Sequence, residues 1–125
     1  MRTRRNARDT GAQAEDAAAR FLVRNGHAIL ARNFATPYGE LDIVSWERSR
    51  DTLAFVEVKY RVRDDFGRAI EAVGVAKQWR IIRAAQAYLK QHPKQCASYR
   101  FDVIAVAPDG GIVHVPDAFH LPTEF

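Results

Sequence analysis

"GELDIVSWERSRDTLAFVEVKY", Gly39 to Tyr60, reads as two strands joined by a short turn. Both halves are rich in β-branched and aromatic residues, and Arg48 to Asp51 between them are polar turn formers. With that loop, Glu47 faces Thr52, paired residue numbers sum to 99, and Asp42 falls opposite Glu57. Side chains alternate along a strand, so Phe55, Glu57 and Lys59 share a face, with Glu57 and Lys59 roughly 6–7 Å apart along it. Directly opposed residues have Cβ atoms about 4.5–5.5 Å apart, and like charges placed there destabilise a sheet. Two readings follow. In one, Lys59 forms an ion pair with Asp42 or Glu57 on a solvated face. In the other, a hard divalent cation takes the two carboxylates, as Mg²⁺ commonly does with one or two acids and water. The apolar flanks Phe55, Val56 and Val58 suit a central strand with partly desolvated charges, a costly arrangement that weighs toward the cation.

Around this hairpin the chain has the size of one domain. Its 125 residues, 47% hydrophobic and 27% charged, suffice for a real core. A net charge of +4 and a pI near 9.6 make polyanions reasonable partners. The lone Cys96 excludes a disulfide framework and a thiol zinc cluster, and with no apolar run of membrane-spanning length and no hydrophobic stretch behind "MRTRRNARDTG", a cytoplasmic protein without membrane association is expected. Residues 1–10, with four arginines between Arg2 and Arg8, read as a flexible basic arm, and 11–125 as a single domain.

Before the hairpin, "GAQAEDAAARFLVRN" places Ala14, Ala18, Phe21 and Leu22 on one helical stripe that starts at a cap at Asp9 or Thr10 and stops at Gly26. "HAILARNF", ending at Phe34, adds a strand. After the hairpin come the loop "RVRDDFG", a short helical piece "RAIEAV", and a long helix from about Val75 to Gln91 with an expected buried stripe of Val75, Trp79, Ile82, Ala85 and Leu89. "SYRFDVIAV" and "GIVHV", separated by "APDG", are two more strands. The order is α-β-β-β-α-β-β: an α/β fold with a central mixed sheet of about five strands flanked by two main helices.

Two more polar residues point toward the sheet. Glu15 lies at the edge of the first helix's apolar stripe, where it either faces the sheet or is solvated. Gln78 falls between Ile82 and Ala85 on the long helix, and a buried amide needs partners: either sheet backbone or Tyr88, or the water and substrate around a metal. The histidines His27, His92, His114 and His120 are scattered without ligand spacing and read as structural, as does Asp102 beside Arg100. Arg61 and Arg63 follow the third strand, and Arg32, Lys77, Arg80 and Arg83 lie nearby, where they would neutralise phosphates without reading sequence.

The helical "G...AE..AA..L...G", then "IL.RN", "GE.D", "FVEVK.R" and "K...I..AA..YL", running from about Gly11 to Val106, resemble the YraN family of uncharacterised proteins within the PD-(D/E)XK, restriction-endonuclease-like nuclease superfamily. The arrangement is also similar to the archaeal-type Holliday-junction resolvases. Leu41 stands where the superfamily name has Pro. The resemblance implies a restriction-endonuclease-like fold and Mg²⁺- or Mn²⁺-dependent hydrolysis of DNA, branched DNA included. It makes Asp42 and Glu57 metal ligands with the Val58 carbonyl as a third, Lys59 the residue that orients or activates the attacking water, and Glu15 the holder of a second metal or its water. Resolvases of similar fold act as homodimers, because two cuts require two sites. The other function class open to this sequence is a non-catalytic module of the same fold that binds nucleic acid or a protein partner.

Overall fold

In the computed structural model, residues 7–61, 73–93 and 97–120 are described, with side chains from Thr10 onward. Helix α1 (Ala7–Arg24) is followed by strands β1 (His27–Thr36), β2 (Gly39–Glu47) and β3 (Thr52–Tyr60), helix α2 (Val75–Gln91), and strands β4 (Ser98–Val106) and β5 (Ile112–Phe119). The strands form one sheet in the order β1-β2-β3-β4-β5, antiparallel except for the parallel β3–β4 pair. This is the five-stranded mixed sheet between two helices that the sequence implied. Residues 1–6, Arg63, the "RAIEAV" piece up to Ala72, and Cys96 lie outside the described residues.

The alternation of side chains sorts the core into two layers. Ile43, Ala54, Val56, Ile104 and Val106 pack with Ala14, Ala18 and Leu22 of α1, while Val44, Leu53, Phe55, Phe101, Val103 and Ala105 pack with Ile81, Ile82, Ala84, Ala85 and Tyr88 of α2. Neighbouring positions of β2, β3 and β4 thus face opposite helices, and both faces of these central strands are covered. Continuous hydrophobic runs in these strands reflect that double burial. The parallel β3–β4 pair needs a crossover, and α2 supplies it.

α1 begins at Ala7, ahead of the expected cap at Asp9 or Thr10, so residues 7–10 of the segment read as an arm belong to the helix. It ends as expected, with Gly26 at φ +88°, a conformation that costs any residue with a Cβ. The stripe assigned to α2 needs correction. Val75 is 70% exposed and Trp79 37%, and the buried row is Ile81, Ile82, Ala84, Ala85 and Tyr88. Val75 and Trp79 lie off the sheet, and the residues that pack on it stand further along the helix, from Ile81 to Tyr88.

Two strands are longer than their sequence signals. β1 runs on to Thr36. β5 continues past Pro116 to Phe119, which its position at the sheet edge allows, since a proline there removes no ladder bond that a neighbour needs. Asp117 adopts φ +54° where the β4–β5 register shifts, and its N–H donates to Asp102 Oδ1 at 3.0 Å.

Candidate metal centre

The expected hairpin register is observed: Glu47↔Thr52, Trp46↔Leu53, Ser45↔Ala54, Val44↔Phe55 and Ile43↔Val56 are partners. The ladder stops one pair before Asp42 and Glu57. β2 stays paired with β1 down to Gly39 but leaves β3 beyond Ile43, which opens a fork between the central strands. Asp42 sits in that fork, and its Oδ2 accepts the N–H of Val58 at 2.9 Å.

Glu57 is 5% exposed, on the α2 face with Phe55. Its Oε1 is 3.6 Å from Lys59 Nζ and 3.3 Å from Lys77 Nζ. Lys59 comes from the same strand two residues on, as its alternation requires, whereas Lys77 arrives from the first turn of α2. Sequence reasoning placed Lys77 among phosphate contacts. The structure places it on a site carboxylate, and the usable signal was its position next to Gln78 at the start of the crossover helix.

The Asp42 carboxyl is pushed up to about 7, first by burial, then by the negative charge of Glu57, against the Val58 N–H that favours ionisation. A hydrogen bond shared with Glu57 and the charge of Glu15 raise it further. The two acids are therefore close enough to compete for charge, as the register implied.

Glu15 reaches toward this end of the sheet from α1. Burial raises its pKa, opposed by Arg32. Its Oε1 is buried without a hydrogen-bond partner, and Arg32 Nη2, 3.8 Å away, is beyond hydrogen-bond range. Arg32 makes its close contact with Asp16 instead, at 2.8 Å. Gln78 donates from Nε2 to the Val73 carbonyl at 2.9 Å, backbone just ahead of α2 rather than of the sheet, and Arg61 Nη1 donates to the Tyr60 carbonyl at 3.0 Å. Asp42, Glu57, Lys59, Lys77 and, at longer range, Glu15 are brought together, with Arg32 beside Glu15.

A hard cation suits this donor set. Two crowded carboxylates, one of them driven to hold its proton, and a buried carboxylate oxygen with no donor are the groups that Mg²⁺ or Mn²⁺ would satisfy. Among the described residues no three His, Cys, Asp or Glu side chains are grouped to hold a metal, so a cation here would draw on Asp42, Glu57, backbone and water oxygens.

A second polar cluster lies on the α1 face. The carboxylate of Asp102, with no exposed surface, is bonded by Arg100 Nε at 2.9 Å and Nη2 at 3.2 Å, by His114 Nε2 at 2.8 Å and by the Asp117 N–H. Burial works against its charge, yet the His114, Arg100 and Asp117 bonds hold its pKa below the usual range. Arg100 also pairs with Glu47, and His27 Nδ1 meets Ser45 Oγ at 2.9 Å. Together these bonds tie β4 to β5 and to the end of β2.

Among the described residues no helix is long and apolar enough to cross a membrane. The model of the uncharacterised protein family UPF0102, the YraN family, matches residues 14–106, which hold every residue of the fork. A UPF0102 protein of Rhodopseudomonas palustris (strain BisB18) is 48% identical over 88% of this chain and 79% of its own length. Relatives from Nitrobacter winogradskyi, 46% identical over 90% of this chain and 93% of their own, and from Syntrophotalea carbinolica, 49% identical over 87% and 89%, carry the same family name. With its meander and acidic fork inside the matched region, the chain belongs to the uncharacterised protein family UPF0102.

Proposed function

We propose that this protein is a metal-dependent nuclease that hydrolyses DNA phosphodiester bonds at the fork of β2 and β3. The observation that carries the reading is the fork that holds Asp42 on the Val58 N–H beside the buried Glu57, with two lysines on the second acid. Asp42 and Glu57, with the Val58 carbonyl, would hold Mg²⁺ or Mn²⁺. When bound, the cation lowers the pKa of water and draws charge from the phosphate. Lys59, 3.6 Å from Glu57, would orient the attacking water and meet negative charge as it develops. Lys77 would release Glu57 toward the cation and turn its own charge to the phosphate. Glu15, with an oxygen awaiting a donor, would bind a water of the site or a second cation. Arg32, Arg61 and Arg63 would hold the DNA backbone, a contact that reads shape rather than sequence. Cutting both strands of a branched substrate needs two such sites, hence two chains.

The test is cleavage of duplex, single-stranded and junction DNA by purified protein in Mn²⁺, beside Asp42→Ala. Cleavage that Asp42→Ala abolishes supports the reading, and no cleavage of any substrate, with unaltered metal affinity in Asp42→Ala, overturns it.

One observation favours a second reading, a non-catalytic module that binds nucleic acid or a protein. Lys59 and Lys77 already balance Glu57, so the fork is charge-compensated without a cation. Calorimetry with Mn²⁺ separates the two. Metal binding that Glu57→Gln removes favours the nuclease, and DNA binding with neither metal binding nor cleavage favours the module.

A further inference from the structure

The exposed side of α2 carries a feature that the cleavage chemistry leaves unused. Between this helix and the β1–β2 turn lies a groove of about 450 Å³ whose lining includes Pro37, Tyr38, Arg83, Gln86, Lys90 and Gln91. Among the described residues its lining holds two cations and no acid. Tyr38 is 49% exposed, and the Arg83 guanidinium lies 6.0 Å from its ring centroid. The turn that presents the ring is pinned: Thr36 Oγ1 donates to the Gly39 carbonyl at 2.7 Å and accepts the Tyr38 N–H at 3.1 Å. An aromatic face with few internal freedoms is thus held open to solvent beside positive charge.

The groove lies next to the fork along α2 and β2. A Cβ on Gly39 would lie 3.9 Å from that of Arg80, one turn of α2 beyond Lys77, which touches Glu57. Along the helix, Lys77 and Arg83 are separated by roughly 9 Å of axial rise. From Tyr38, in the turn just ahead of β2, to Asp42 is at most roughly 13 Å of extended chain. Both are spans that a short piece of single strand covers.

We propose that this groove is a subsite for an unpaired nucleotide of the DNA strand that passes through the fork, its base stacked on Tyr38 and its phosphates on Arg80, Arg83 and Lys90. The substrate class rests on the nuclease reading, and the subsite refines it: in paired DNA the base faces are covered by their neighbours, so only an unpaired or frayed strand can offer one to the ring. Stacking on an aromatic side chain tolerates every base, which matches a chain without base-reading motifs.

Anisotropy of the full-length protein with a labelled oligothymidylate and with a blunt duplex, both in EDTA so that nothing is cut, tests the subsite. Tyr38→Ala is expected to weaken the single strand by roughly 5- to 150-fold, Tyr38→Phe to bind as wild type, and the duplex to be nearly unchanged. Arg83→Ala should lower the salt slope by about one. Equal loss on both substrates, or unchanged binding of the single strand, overturns the subsite and leaves the groove to a protein partner. Because the assay needs no turnover, a protein that cuts DNA without this preference loses only the subsite. One that shows the preference but never cuts loses only the nuclease reading.

Discussion

The carboxylate of Asp42 accepts the backbone N–H of Val58 at 2.9 Å, at the point where β2 and β3 cease to pair. A side-chain oxygen thus stands in for the strand carbonyl that a continued ladder would have offered. One bond both ends the pairing and holds the first acid of the site beside the second.

Asp42 keeps its proton up to about pH 7 in the folded chain, against an ordinary value of 3.8. The folded state binds that proton more tightly, so the stability linked to it is complete below about 3.8 and is lost as pH rises to about 7. Thermal melts in chelator should therefore show wild type losing stability across that window relative to Asp42→Asn, which has no proton to release. Above pH 7, Mg²⁺ or Mn²⁺ should raise the melting temperature of wild type and leave that of Asp42→Asn unmoved. A constant difference between the two proteins across the window would contradict the crowding of Asp42 and Glu57.

Lys59→Ala is expected to lower cleavage at least about a hundredfold, as for loss of one donor to developing charge, with little change in melting temperature. Lys77→Ala should cost less, since Lys59 remains on Glu57. The double variant leaves a buried carboxylate without a counter-ion and should lose about 1–3 kcal/mol in urea melts, a figure reduced for the partial exposure of Lys77. A large stability loss in Lys59→Ala alone would mark it as a structural ion.

Arg100→Met should destabilise by about 3–5 kcal/mol, because it strips charged partners from the fully buried Asp102. In wild type, Asp102 is held below its ordinary pKa, so its contribution is complete above about 3.8 and falls away under more acid conditions. Denaturant titrations at neutral pH and at pH 3 check both halves, and a neutral-pH loss under about 1 kcal/mol would show that Asp102 is held by His114 and the Asp117 N–H alone.

Gly26→Ala should cost about 1 kcal/mol, since φ +88° is open to glycine and strained for alanine, while nothing lies within 4 Å of the added methyl. The strain is local to the end of α1, so DNA binding should be retained.

The hairpin and its register could be read from residue order because a strand's two-residue period and a four-residue loop leave one pairing that keeps Ile43, Val56 and their neighbours on apolar faces. That same period placed Glu57 and Lys59 together, and the 3.6-residue period placed Ala14, Ala18 and Leu22 under α1. The identity of α2's buried face was not legible. Val75 and Trp79 are its bulkiest apolar residues near the start, yet the orientation of a crossover helix is set by its packing on the sheet, and the row that packs is Ile81, Ile82, Ala84, Ala85 and Tyr88.

What local order determined by itself was the element sequence, the pairing of the central hairpin and the side of the sheet on which each acid stands, since these follow from short-range periodicity. Only the tertiary structure decided that β2 and β3 part at Ile43, that Lys77 joins Lys59 on Glu57, and that Asp102 is claimed by Arg100, His114 and the bulge at Asp117. Those outcomes depend on contacts between segments far apart in the chain, where packing shape and the need to partner every buried charge select the arrangement, and no local pattern records that choice.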